Sequence, residues 1–122
     1  MNSVDAEKLM LALVSAYVWV AHCDDGVDVV EYKHFYSAIL QSPFATQFDE
    51  VDLRHTFKDM VRLFEDEFES ALELTRKRIS SYKNQPIWAE EIIRLSRAAA
   101  VSDAVLHPVE ESVLSEIEAT LS

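Results

Sequence analysis

An all-α fold, a compact bundle of about six or seven helices, is what the sequence predicts. Three observations carry it. Apolar residues recur at helical spacing along most of the 122 residues, and no segment alternates with period two for long enough to be a strand. One glycine and three prolines are poor material for a many-turned β fold. The prolines also fall where helices begin: Pro43 after Ser42, Pro86 after Asn84-Gln85, and Pro108 after His107.

The first helix is expected from about Val4 to His22, with Ser3 or Asp5 as N-cap and an acidic first turn that suits the helix dipole. From Leu9 to Cys23, fifteen residues carry no formal charge apart from His22. That run falls short of the roughly 20 residues that cross a bilayer. Asp5 and Glu7 stand where a secretory signal would want basic residues. The expectation is therefore a helix apolar on all sides because neighbours surround it, with no direct membrane insertion.

Asp28 is expected to cap the second helix, and Glu31, three residues on, completes a capping box. Tyr32, Phe35, Tyr36 and Ile39 follow at helical spacing and read as core. Ser42-Pro43 reads as the N-cap and first-turn proline of a short helical segment. From Asp49 or Glu50 a long apolar period runs through Leu53, Phe57, Met60, Val61, Phe64, Phe68, Ala71, Leu72, Thr75 and Ile79. Taken alone it makes one helix of about thirty residues, long for a small domain. Asp66 with Glu69 forms another capping box, which places a break near Glu65. Arg76-Lys77-Arg78 then lies in a last turn, where cations suit the dipole. A further helix starts at Asn84 or Gln85, with Pro86 first, and runs to about Ser102. The last is capped by His107 and carries Glu110, Glu111, Val113, Leu114 and Ile117. Phe57, Phe64, Phe68, Trp19 and Trp88 are expected in the core.

Length and charge bound the function. The chain reads as a single domain over residues 1–122, long enough for a real core. Twenty-two acidic residues against 11 basic ones give a net charge of −11, which repels nucleic acid and anionic lipid and favours cations or a basic protein partner. Cys23 is the one cysteine, so no intrachain disulfide forms, and a reducing, cytoplasmic setting is expected.

The chain repeats itself. Ala21-His-Cys-Asp-Asp-Gly-Val-Asp-Val-Val-Glu31 recurs without a gap as Ala100-Val-Ser-Asp-Ala-Val-Leu-His-Pro-Val-Glu110, at an offset of 79 residues. Asp24 matches Asp103, and Glu31 matches Glu110. Each copy follows an apolar helical stretch and opens another, giving two helix–loop–helix corners with acidic residues at matched positions. Asp24, Asp25, Asp28 and Glu31, joined by Asp103 and Glu110 if the corners meet, offer the oxygen ligands that suit Ca²⁺, Mg²⁺ or Mn²⁺. An EF-hand does not fit, since placing Gly26 at its sixth position puts Ala21 and Tyr32 where ligands are required. The other reading is that Asp28 and Glu31 are helix caps and Asp24 accepts loop N–H groups.

Other chemistry is poorly supported. Cys23 beside two aspartates is a weak thiolate nucleophile, and His22-Cys23 without a second donor pair makes no zinc site. His34 and His55 are scattered. No glycine-rich phosphate loop or nucleophile elbow accompanies the carboxylates, so no enzyme is expected.

Asp24-Asp-Gly-Val-Asp-x-x-Glu31 and Asp103-Ala-Val-Leu-His-Pro-x-Glu110 resemble the paired acidic motifs of the TerB-like, tellurite-resistance family. The resemblance extends to the apolar first helix, the middle section with Phe64 and the alanine-rich Arg97-Ala-Ala-Ala-Val101. It implies a compact helical bundle, as in bacterial stress-response proteins and the N-terminal domain of a membrane-anchored J-domain co-chaperone. It further implies a binding or scaffolding role toward protein partners, including membrane-associated stress-response complexes, and a divalent cation in the acidic motifs. Two positions depart from the family pattern: Asp25 and Ala104 stand where it has glycine. Arg76, Lys77, Arg78 and Lys83 form the basic part of a two-signed surface suited to docking a partner protein, or else a solvated helix end.

Overall fold

The computed structural model describes residues 3–22, 32–101 and 108–122, and among them the fold is all-α. Six helices are present: α1 (Ser3–His22), α2 (Tyr32–Leu40), α3 (Glu50–Asp66), α4 (Phe68–Ser80), α5 (Pro86–Val101) and α6 (Pro108–Leu121). A single 3₁₀ turn, Ala45–Gln47, lies between α2 and α3.

The uncharged run becomes the axis of the bundle. From Leu9 to Val20 every residue of α1 is buried except Leu11, which is half-buried. The helix packs on α3, α4, α5 and α6, so each of its faces meets a neighbour. No described helix is long and apolar enough to cross a membrane. Asp5 sits in the first turn of α1 and is not its cap. Tyr17 of α1, Phe35 of α2 and Phe57 of α3 form an aromatic cluster, with centroids 5.1 Å apart for Tyr17–Phe35 and for Phe35–Phe57. Edge-on and tilted pairs of this kind add to the burial of large side chains.

The Ser42-Pro43 segment differs from expectation. Ser42 Oγ accepts the Phe44 N–H at 3.1 Å, closing a local turn that leaves Pro43 outside any helix. The helical piece comes later, as the 3₁₀ turn that follows Phe44. Asp49 is the N-cap of α3, accepting from Val51 N–H at 2.8 Å and Asp52 N–H at 3.4 Å.

The long apolar period does divide, but at Glu67 and without the expected capping box. Asp66 is still the last residue of α3. The Glu67 N–H donates to the Leu63 carbonyl at 2.8 Å while its own carbonyl accepts from Ala71 N–H at 2.9 Å. One residue thus closes α3 and opens α4, with no side-chain cap. Phe68, placed in the core by its spacing, starts the new helix and is 42% exposed, its ring meeting that of Phe64 edge-to-face.

Candidate functional site

Most of the predicted metal set cannot be placed. Asp24, Asp25, Asp28, Glu31 and Asp103 lie outside the described residues, as do Cys23 and the caps expected at Asp28 and His107. What is described is the frame that carries them.

Contacts along α1 give the direction of its neighbours. Going up α1, Asp5, Ser15 and Trp19 meet Tyr82, Arg78 and Arg76, so α4 runs antiparallel to it. Asp5, Lys8 and Leu9 share a recess with Trp88 in the first turn of α5, and α1 packs more extensively on α5 than on any other helix. Helices α1 and α5 therefore start together and run the same way. The chain leaves them, at His22 and Val101, toward the same end of the bundle.

At that end, His22 lies 5.9 Å from the Phe64 ring, and its Nδ1 is buried with no hydrogen-bond partner among the described residues. Glu110 is the third residue of α6 and fully buried. A carboxylate so placed is tolerable only where hydrogen bonds or a cation compensate its charge. Its position near the start of α6 is also where a capping-box glutamate sits, close to the positive end of the helix dipole. Among the described residues, no group of three or more His, Cys, Asp or Glu side chains is arranged to hold a metal ion.

The basic residues have split fates. Arg76 grips Glu116 of α6 through Nε to Oε2 at 2.8 Å and Nη2 to Oε1 at 3.0 Å, and its guanidinium lies 5.7 Å from the Trp19 ring centroid. The Glu116 bond holds the Arg76 pKa above its ordinary value. Arg78 turns inward to Ser15 and Met60, and burial lowers its pKa. Lys77 and Lys83 are exposed. Of the four, two are engaged within the bundle and two face solvent.

Sequence reasoning missed a clamp in the other half. Glu91 is 7% exposed, and its carboxylate accepts from Arg94, whose Nη2 also donates to the Ala38 carbonyl at 2.9 Å. That bond ties α5 to the last turn of α2. The only signal was an i,i+3 Glu–Arg pair, which on most helices is a solvated surface feature.

Residues 10–122 match the family model described as tellurite resistance protein TerB. No curated protein and no solved structure matches the chain at a significant level.

Proposed function

Because the chain belongs to the TerB family of tellurite resistance proteins, we propose that it is a non-enzymatic adaptor domain whose two acidic motifs form one divalent-cation site. That site would lie at the end of the bundle that docks protein partners. The observation that carries this reading is the shared direction of α1 and α5, which sends the chain from His22 and from Val101 toward the same end. Oxygen donors from Asp24, Asp25, Asp28, Glu31, Asp103 and Glu110 suit Ca²⁺, Mg²⁺ or Mn²⁺. A cation there would link the first helical pair to the last, and cation supply would set the shape of the docking end. The partners are proteins of stress-response complexes, including membrane-associated ones. A cytoplasmic setting is proposed from the single cysteine. The acidic balance of 22 to 11 favours a partner with a basic face over nucleic acid.

A second reading has its own observation. Glu110 is fully buried three residues into α6, where a capping glutamate alone accounts for it. In that case the motifs shape the fold and bind no ion.

Thermal unfolding separates the two. The full chain is stripped with EDTA, then given Ca²⁺, Mg²⁺ or Mn²⁺, as wild type and as Glu110→Gln, which keeps a capping acceptor oxygen and loses the charge. An ion at about 100 times its Kd stabilises by roughly 2.7 kcal/mol, a rise in Tm of several degrees. A rise in the wild type that Glu110→Gln abolishes supports the cation site. No response to any of the three ions sinks it.

A further inference from the structure

At the opposite end of the bundle, the first turns of α1 and the turn from α4 into α5 enclose a recess of about 310 Å³. That is the lower end of the range for small-molecule sites. Its apolar lining comes from Leu9, 1% exposed, and from Tyr82 and Trp88. Trp88 is braced by Phe44, with ring centroids 4.4 Å apart.

Three features favour an anion here. Tyr82 is 8% exposed, and its hydroxyl makes no hydrogen bond to any described residue but stays open to solvent at the recess rather than sealed in the core. It is therefore a donor available to a guest in the recess. Burial, with Asp5 adding to it, pushes the Tyr82 pKa up, which keeps the phenol a donor. Lys8 lines the same recess and has no ion-pair partner among the described residues, in a chain with twice as many acids as bases. The N-terminus of α5 opens beside them. The Gln85 carbonyl accepts the first helical bond from Ala89 at 2.9 Å, while its side-chain amide donates back to the Ser81 carbonyl at 3.3 Å. The positive end of the helix dipole therefore borders the recess.

One feature limits the charge of the guest. Asp5 sits on the rim, one turn before Lys8, and the chain as a whole is strongly acidic. A second negative charge would be repelled, which disfavours phosphate and dicarboxylates.

We propose that this recess binds a small organic monocarboxylate with an apolar body, its carboxylate held by Lys8 and the Tyr82 hydroxyl and its body laid on Leu9 and Trp88. The site is distinct from the acidic motifs and independent of any cation there.

The test is a titration of the ¹⁵N-labelled full chain with 3-phenylpropionate, followed through the two tryptophan indole N–H resonances. The uncharged 3-phenylpropanamide and inorganic phosphate serve as comparison ligands. The Trp88 resonance is expected to shift and saturate with a Kd on the order of 1 mM, as suits a ligand of this size. Trp19, packed between α1 and α4, stays put. Tyr82→Phe, which keeps the ring, weakens binding about tenfold, the value of a hydrogen bond to a charged group. Lys8→Gln weakens it as well, and the spectra themselves report that both variants are folded. Absence of saturation overturns the proposal. So do equal shifts with the amide or phosphate, or wild-type affinity in both variants.

Discussion

Arg78 donates from one guanidinium nitrogen to Ser15 Oγ at 2.8 Å and to Met60 Sδ at 3.3 Å, so a single side chain of α4 ties α1 to α3. No carboxylate among the described residues pairs with it, and the side chain is half-buried, so its stem as well as its charge is partly withdrawn from water. Arg78→Ala is expected to lower stability by about 1–3 kcal/mol, through the lost charged hydrogen bond and the lost stem. The measurement is chemical denaturation. Combining it with Ser15→Ala should cost less than the two single changes added together, because each already removes the shared bond.

Thr75 presents the reverse case. It is fully buried on α4, and its hydroxyl has no hydrogen-bond partner among the described residues. Thr75→Val keeps the shape and removes the stranded hydroxyl. The variant should be unchanged or up to about 1 kcal/mol more stable, read from the same denaturation curves. A clear loss of stability would mean that the hydroxyl is satisfied in solution.

Tyr32 should titrate late. Its pKa is pushed up to about 12, first by burial and then by the Glu50 carboxylate, whose Oε1 accepts the phenol at 3.3 Å. With the folded pKa above the unfolded one, the native state holds this proton while the unfolded chain releases it. The stabilisation is complete below about pH 10 and is lost as pH rises toward about 12. Absorbance of the phenolate should show a tyrosine ionising late in Glu50→Gln as well, though earlier than in the wild type, since burial is the larger cause.

The two clamps on α6 are expected to differ in strength. Arg97 pairs with Glu118 and Arg76 with Glu116, and all four side chains are at least 40% exposed. Pairs this open contribute roughly 0.2–1 kcal/mol and weaken as salt is added. Arg76 also lies over Trp19, a contact that adds about 0.5–1 kcal/mol and resists salt better. Arg76→Ala should therefore cost more than Arg97→Ala, and the gap should persist in 1 M salt.

The helices were legible because their signals are local. The uncharged stretch of α1, the aspartate cap at Asp49 and the prolines at 86 and 108 each act within a few residues. The break at Glu67 was mislaid by one or two residues for a physical reason. Phe64 and Ala71, both buried, are a full heptad apart, so the apolar period runs across the interruption unchanged. No glycine or proline marks it. The Glu91–Arg94–Ala38 clamp and the recess of Lys8, Tyr82 and Trp88 were hidden because distant segments build them, and spacing carries no information about which helices will meet. The pairing of the repeat is plain in the sequence, while of its acidic residues Glu110 alone can be followed into the structure.

The burial of α1 on every side also sets the order in which this chain can become safe in the cell. Its most apolar segment is synthesised ahead of the helices that cover it, and the one it leans on most, α5, begins only at Pro86. While ribosomes are still adding α2 to α4, part of the strip from Leu9 to Val20 has nothing to rest against. Emerging chains in that state are the ones that stick to one another or call on chaperones. A ribosome stalled before Pro86 would hold out a greasy, half-wrapped rod, and a nascent chain released there would be cleared or would aggregate rather than persist as a smaller version of the domain.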